Sequence, residues 1–594
     1  MQRKIFLGIE QSATGHRWVD RLDARTANVA LAIAQKHDIP DLVSRIVAGR
    51  GVAEDDALRF LDPTIRDLMP DPHTVTDLER VAARICAAVL AKEPVAIFGD
   101  YDVDGASSSA LLSRVLSHFS VPHEIYIPDR IFEGYGPNPA AMEELARRGA
   151  KLIVTVDCGT NSAAALSAGR AAGADICVID HHQPGGAMPE GIAVANPNRE
   201  DDLSGLGHLC AAGVVFMVLV DVIRQLRGKT GRPLPDLLGM LDLVALATVC
   251  DVVPLVGLNR AFVVKGLQIA RKFGNPGLAA LAKVSRIGEP LNVFHFGFLI
   301  GPRINAGGRI GDAALGARLL TLDDANEAQG ISEKLDHLNA ERQAMEKIML
   351  EQAEAAIGFD LAGGGGPPVI VAADEKWHPG IVGLIASRLK EKARRPAFAI
   401  AFNPNGTGTG SGRSIAGIDL GRLVRKAVDE GIVVKGGGHA MAAGITIEKS
   451  RLGDLRVFFE REAAEAVAVL SADAELEIDG ALSAGAATLA LIESMERAGP
   501  YGTGNAAPLL VLPNHRLAYC RIVGNGHVSA SLTAMDKSSL QAIAFRTEGT
   551  PLGDFLHANV GNIIHVAGTL SVNHFDGRRT VQMRMVDAAS PSRY

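Results

Sequence analysis

From residue 80 to residue 290 short apolar runs alternate with helical stretches, the pattern of a mostly parallel sheet covered by helices. Residues 94–98 have the length of a buried strand, and residues 107–116 after them read as a helix. Residues 151–156 and 174–179 predict two more strands, while residues 241–249 form a run that could be strand or helix. Each of the four runs ends on acids or histidines: Asp100, Asp157, Asp180-His181-His182 and Asp251. Packed side by side, these ends would converge on one edge of the sheet, where open α/β folds bind ligands.

Outside this stretch the patterning changes. Residues 26–37 and 41–47 are helical in pattern, broken by Asp62-Pro63, Pro70 and Pro72, and predict a cap over 1–80 packed on the unit that follows. Residues 322–357 predict a long helix with Ile331, Leu335, Leu338 and Met345 on an otherwise charged face, started by Asp323 or Asp324. Gly363 to Gly366, followed by Pro367-Pro368, marks a boundary. A second α/β unit follows. Beyond residue 473 short strands are expected over 508–512, 517–523, 527–532, 540–545, 563–572 and 580–586, with Asp576-Gly577 as a hairpin turn. They suit a small barrel of the OB type. The division expected is therefore a helical cap (1–80), a catalytic α/β unit (81–320), a connector helix (321–362), a second α/β unit (367–465) and a barrel (473–590).

Composition narrows the class. A chain of 594 residues with 47% hydrophobic and 21% charged residues is an ordinary multi-domain globular protein. A net charge of −7 excludes a uniformly basic surface but leaves room for a local basic groove. The six cysteines lie singly in apolar runs, as in a reducing compartment. The longest apolar stretch, residues 209–220, is too short for a bilayer, so a cytoplasmic protein without membrane contact is expected.

The chemistry concentrates in Phe98-Gly99-Asp100-Tyr101-Asp102-Val103-Asp104-Gly105. Three alternate carboxylates in one turn repel one another unless a cation lies between them. A single Asp after a strand is ordinarily a helix cap. Four such ends in one unit go beyond capping, and carboxylates with one or two imidazoles suit two Mn²⁺ or Mg²⁺ ions, the arrangement used for displacement at phosphorus. Farther on, Gly410-Ser411-Gly412-Arg413 and Gly436-Gly437-Gly438-His439 pair exposed backbone N–H groups with a cationic or hydrogen-bonding side chain, as phosphate seats do. In the barrel, His527, Arg546, His574, Arg578 and Arg579 are candidates for a binding face, with Phe545 and Phe575 as stacking surfaces.

In this order, Asp-Tyr-Asp-x-Asp-Gly, Asp157-x-Gly159, Asp180-His181-His182 and Asp251 resemble the four motifs of the DHH phosphoesterase superfamily. The whole chain resembles its branch of bacterial single-strand-specific 5′-to-3′ DNA exonucleases. Pro128-Asp129-Arg130, Glu133-Gly134-Tyr135-Gly136, residues 251–255 and Gly301-Pro302-Arg303-Ile304-Asn305-Ala306-Gly307-Gly308-Arg309 also match. The resemblance implies a DHH catalytic domain, a companion DHHA1 domain and an OB-fold domain. It implies metal ligation by Asp102, Asp104, Asp157, His181 and Asp251 with Asp100 close by, and catalytic roles for Asp104, Asp157 and His182, the last beside the scissile phosphate. Arg130, Arg303, Asn305 and Arg309 would meet the strand and its 5′-terminal phosphate, and Ser411, Arg413 and His439 the backbone near that end.

The implied activity is two-metal hydrolysis of single-stranded DNA to 5′-mononucleotides in DNA repair and recombination. It would act as a monomer, with a helicase and a single-strand-binding protein as partners. The alternative is a phosphodiesterase of the same superfamily acting on short oligonucleotides or cyclic dinucleotides. Ala211-Ala212, where glycine is frequent in the superfamily, and Cys250, where alanine is, depart from the pattern without removing a ligand.

Overall fold

The computed structural model describes residues 3–130, 132–186, 188–189, 191–357, 366–472, 475–575 and 578–591. The glycine boundary at 363–365 and the Asp576-Gly577 turn lie outside the described residues. So do the side chains of His574, Phe575 and Arg578.

The catalytic unit is a five-stranded parallel sheet in the order His123–Tyr126, Val95–Phe98, Leu152–Val156, Asp175–Ile179, Ala193–Ala195. Its central strands are apolar on both faces because helices cover both sides. Leu78–Ala91, Val103–His118 and Ala211–Leu226 lie on one side, Pro139–Arg147 and Ala163–Ala171 on the other. Residues 241–249 belong to a helix, Leu241–Cys250, buried on nearly every side. Asp251 thus reaches the site from a helix end, and only three of the four converging ends are strand ends.

The connector Ala325–Ile357 is one helix, started by Asp324, whose Oδ1 accepts from the N–H groups of Asn326 and Glu327 at 2.8 Å each. It packs on Gly301–Ile310 and on Val382–Ala393 of the second α/β unit. That unit holds a mixed sheet in the order Lys435–His439, Ala442–Glu448, Thr407–Arg413, Ala397–Phe402, Ile370–Asp374.

The C-terminal strands close into a barrel: Leu510–Val523 pairs with His527–Thr533 and Ile563–Phe575, and Ser539–Ala544 pairs in parallel with Arg578–Ala589. The runs at 508–512 and 517–523 are one bent strand, its register shifting between Leu512 and His515 where Asn514 adopts φ 54°.

The N-terminal cap packs on the unit that follows, as expected, and on a second neighbour. Ile65, Leu68 and Met69 lie against the catalytic core, which includes Val75 and Leu78, and His73 Nε2 is 2.9 Å from Asp221 Oδ1. Leu22, Ile33, Val43 and Ile46 share one apolar core with Leu482, Ile492, Leu510 and Leu540, so the cap is built onto the barrel. Strand Arg17–Asp20 pairs in parallel with Glu475–Ile478, and Trp18 is buried with its indole N–H donating to Asp587 at 2.9 Å. Arg260 of the catalytic unit joins all three, stacked 4.1 Å over the Phe60 ring and donating to the carbonyls of Phe60, Arg497 and Gly499. Among the described residues no helix is long and apolar enough to cross a membrane.

Candidate metal centre and phosphate cleft

Strand Val95–Phe98 delivers the acidic motif, and Asp102 then starts the next helix: its Oδ1 accepts from the N–H groups of Asp104 at 2.9 Å and Gly105 at 3.1 Å. Capping and metal ligation are compatible here, because the cap uses one carboxylate oxygen and leaves the other. Glycine is required at 105, where a Cβ would stand 2.4 Å from the Asp100 carbonyl oxygen. Asp104 turns inward and is aimed by the N–H groups of Ala211 at 2.6 Å and Ala212 at 2.8 Å. Since the backbone does the holding, alanine serves at 211 and 212 where glycine is frequent.

Asp157 sits at the end of Leu152–Val156 with φ 61°, a strained conformation for a side-chain-bearing residue and one that clusters at functional sites. His181 donates from Nδ1 to the Leu209 carbonyl at 3.0 Å, which orients the ring and points Nε2 inward. That nitrogen stands 3.4 Å from Asp157 Oδ1, 3.7 Å from Asp251 Oδ2 and 3.8 Å from Asp104 Oδ2. Three buried carboxylate oxygens converging on one ring nitrogen call for positive charge among them.

The titration behaviour agrees. Burial, reinforced by neighbouring carboxylates, pushes Asp100, Asp157 and Asp251 well above the ordinary carboxylate range, and burial raises Asp104 as well. Asp100 Oδ1 and Asp157 Oδ1 are buried with no hydrogen-bond partner among the described residues. Three overlapping sets converge closely enough to share ions: Asp157, His181 and His182; Asp104, His181 and Asp251; Asp100, Asp102 and Asp157. The donor set fits two hard divalent cations.

His182 differs from His181. Its Nδ1 is 2.8 Å from Asp180 Oδ1, and Asp180 itself is held by the N–H groups of His181, His182 and Thr160. Burial pushes the His182 imidazole down, but the Asp180 hydrogen bond and charge outweigh it and carry it up to about 9. Burial likewise raises Asp180, yet His182 and His181 hold it well below the ordinary range. Asp180 is therefore the charged support of His182 and stands apart from the ligand sets.

Across the cleft stands a group of cations. The Arg130 guanidinium lies 4.9 Å over the Tyr101 ring. Arg309 is half-buried and donates to the Gly380 carbonyl at 3.0 Å; desolvation, then Arg130, Arg342 and Arg413, push it down to about 9. Arg413 donates to Ser411 Oγ at 2.9 Å and is pushed down by burial and by Arg130. His439 is lowered by burial, Arg413 and His182. Arg130, Arg309, Arg413, Ser411 and His439 thus form one pocket whose guanidiniums repel each other, as a site awaiting an anion does. Arg130 also acts on Asp100, so the pocket adjoins the carboxylates.

Arg303 is not in this group: it pairs with Asp336 of the connector at 2.8 Å and donates to the Leu299 carbonyl at 2.6 Å. Asn305 has a buried Oδ1 with no hydrogen-bond partner among the described residues. In the barrel, Phe545 lies beneath the Arg584 guanidinium at 4.8 Å and meets His527 edge-on at 5.2 Å. Arg579 pairs with Glu493 at 3.3 Å.

The sequence reading assigns no role to Tyr135. Its hydroxyl donates to the Asp157 carbonyl at 3.2 Å and lies 3.1 Å from both ring nitrogens of His182, while its ring meets Tyr101 and His182 edge-on. Burial and the surrounding carboxylates push the phenol far up, so it stays a neutral donor. The signal is present in Gly134-Tyr135-Gly136, but an aromatic between glycines carries no chemistry of its own in a sequence. Tyr135→Phe is expected to lower kcat about ten-fold by freeing the His182 ring, with KM for DNA little changed, in a steady-state assay.

The chain matches the model of the DHH family, N-terminal domain, over residues 94–248, the DHHA1 domain over 366–465 and the RecJ OB domain over 478–587. It is 33% identical to the single-stranded-DNA-specific exonuclease RecJ of Salmonella typhimurium over 93% of this chain and 96% of that one. Crystal structures of RecJ from Thermus thermophilus superpose on 95% of this chain and 78% of theirs in the Mn²⁺ complex (TM-score 0.78, 29% identity). The Mg²⁺ complex covers 95% and 77% (TM-score 0.72, 27% identity).

Proposed function

As a member of the RecJ family, the chain is a metal-dependent single-stranded-DNA-specific exonuclease, and we propose that the residues assembled above carry its 5′-to-3′ hydrolysis of the strand to mononucleotides. The observation that supports this best is the adjacency of two complementary sets: buried carboxylate oxygens without a partner among the described residues, and guanidiniums that press on one another. A phosphodiester on two divalent ions satisfies both.

In this reading Asp100, Asp102, Asp104, Asp157, His181 and Asp251 hold the ions, which supply Lewis acidity that activates water and neutralises charge growing on the phosphate. Asp104 and Asp157 are fixed by backbone contacts and by an αL turn, so the carboxylate frame needs little rearrangement when substrate arrives. His182, protonated near neutral pH through Asp180, sits beside the scissile phosphate and donates a proton toward the leaving oxygen or stabilises its charge. Arg130, Arg309, Arg413, Ser411 and His439 bind the 5′-terminal phosphate, and fixed planar guanidiniums do so bidentately. Asn305 Oδ1 adds a polar contact at that end, and Arg303 acts by bracing the helix Gly301–Ile310 against the connector. Recognition through backbone phosphates implies weak sequence preference.

The unit boundaries 1–80, 81–320, 321–362, 367–465 and 473–590 are part of this proposal; the family matches over 94–248, 366–465 and 478–587 support the second, fourth and fifth of these units. So are monomeric action, because every ligand comes from one chain, and reliance on a helicase and a single-strand-binding protein, because a cleft selective for one strand needs the duplex opened first.

A time course with Mn²⁺ on a 30-mer labelled at its 3′ end, beside its duplex and a dinucleotide, tests the reading. Progressive shortening of the single strand alone is the expected result. Rapid cleavage of the dinucleotide with the 30-mer intact would overturn it in favour of small-substrate hydrolysis. Arg413→Ala is expected to raise KM for 5′-phosphorylated strands about ten-fold or more while changing kcat less, as loss of a charge-assisted phosphate contact should.

A further inference from the structure

The fifth strand of the catalytic sheet brings no acid to the cluster, yet it ends next to the histidines. Ala193–Ala195 pairs in parallel with Asp175–Ile179, Ala195 opposite Ile179, so Asn196-Pro197-Asn198 emerges beside Asp180-His181-His182. Asn196 is wholly buried. Its Oδ1 accepts from the N–H of Asn198 at 2.8 Å, and its Nδ2 donates to the His182 carbonyl at 2.8 Å and to Thr160 Oγ1 at 2.9 Å. Asn198 donates to the carbonyls of His181 and Gly207, the second at 3.1 Å.

These bonds complete the turn. Asp180 takes the N–H groups of His181 and His182, and the two asparagines take the carbonyls. Side chains thus do for both histidines what a sheet or helix does elsewhere, since backbone groups inside a protein need partners. Beyond the turn the two arms diverge. Asn198 ties the His181 backbone to Gly207, two residues before Leu209, whose carbonyl orients the His181 ring. A Cβ on Gly207 would stand 2.3 Å from Asn198 Oδ1, so this segment closes tightly on the amide. Asn196 ties the His182 backbone to Thr160, whose N–H donates to Asp180 Oδ2 at 3.0 Å, and Asp180 in turn supports the His182 ring. One asparagine therefore stands behind the imidazole that faces the carboxylates, the other behind the imidazole assigned to the phosphate.

We propose that Asn196 and Asn198 are positioning residues with divided tasks: Asn198 fixes His181 for metal ligation, and Asn196, with Thr160, fixes His182 against the scissile phosphate. Outer partners of metal-binding histidines set ring orientation and tune affinity. Here the partner amides hold the backbone that carries each ring. This rests on the exonuclease reading and deepens it, since ion binding and turnover would be governed by two separate amides of one tripeptide.

The test compares two pairs of variants. Asn198→Ala and the isosteric Asn198→Asp, which loses the donor, are expected to raise the Mn²⁺ dissociation constant, measured by calorimetric titration without substrate, about ten-fold or more. Their cleavage should be lost at low Mn²⁺ and restored by excess. Asn196→Ala and Thr160→Val are expected to keep the Mn²⁺ constant within about two-fold while kcat on a 30-mer falls about ten-fold and KM changes little. Melting in chelator checks that each variant is folded, and if the wholly buried Asn196 does not tolerate alanine, Thr160→Val reads the same arm. Equal losses of Mn²⁺ affinity and kcat in both pairs would make the asparagines merely structural, and no loss in either would show the turn to be held without them; both results overturn the proposal. Wild type that binds Mn²⁺ but leaves the 30-mer intact, with the Asn198 shift present, would sink the exonuclease reading and leave the Asn198 assignment standing.

Discussion

Asp157→Asn is expected to lower cleavage of single-stranded DNA at least about 10³-fold with either Mn²⁺ or Mg²⁺, while affinity for the strand falls only modestly. The size follows from metal-assisted displacement, where each ion contributes several kcal/mol of charge stabilisation in the transition state. Asp157 belongs to two of the three converging ligand sets, so losing its charge disturbs both ion positions. Asparagine is the informative replacement because it tolerates φ 61°, so the αL turn survives and only the charge is lost. In the proposed reading strand affinity resides mainly in the arginine pocket and the barrel, which the substitution leaves untouched. Rate and anisotropy titrations on one 30-mer check both parts. Cleavage within ten-fold of wild type would remove Asp157 from the ligand set, and collapse of binding together with cleavage would make its role structural.

Much of this site is legible in the chain alone. The three strand ends are legible because strands of four or five apolar residues bounded by polar turns have one interpretation in an α/β pattern. Asp251 is legible as a member of the cluster through the motif but not by its route: residues 241–249 are apolar but for Asp242 and Thr248, and a run without periodicity does not separate a buried helix from a buried strand. The cap's second neighbour, the barrel, is illegible for a related reason. An amphipathic stripe such as Ile33, Val43 and Ile46 says that a face is buried, not against what, and barrel residues more than 400 positions away supply the other half of that core. Arg303 illustrates the limit for charged groups. A motif arginine reads as a phosphate ligand until its partner is known, and Asp336, on a helix read as a solvated connector, is that partner.

The second large effect is on stability and concerns the protein without metal. Asp100, Asp104, Asp157 and Asp251 are held above the ordinary carboxylate range, so the fold binds their protons more tightly than the unfolded chain does. In acid both states are protonated and the groups contribute nothing. As pH rises past the ordinary carboxylate range the unfolded chain ionises freely, while the fold either keeps the protons or bears buried, mutually repelling charges, and stability falls. His182 acts in the same sense: raised to about 9, its contribution is complete below the ordinary imidazole range and is lost as pH rises through 9. Asp180, held low, contributes equally at pH 6 and pH 9 and drops out of the difference. Chelated protein is therefore expected to melt higher at pH 6 than at pH 9, by several degrees in the catalytic unit.

Divalent ions should invert this order. They bind the ionised carboxylates, so Mn²⁺ must displace protons at pH 6 and meets a ready site at pH 9. At about a hundred-fold excess over its dissociation constant Mn²⁺ adds about 2.7 kcal/mol to the folded state, and the melting gain should be larger at the higher pH. Asp157→Asn ties the two effects together: it removes one repelling charge, so the chelated variant should melt higher than chelated wild type at pH 9 while losing most of the Mn²⁺ shift. Calorimetry of both proteins at the two pH values, with chelator and with Mn²⁺, decides it. Chelated wild type melting higher at pH 9, or a Mn²⁺ shift undiminished in the variant, would show that the cluster is compensated by something other than metal.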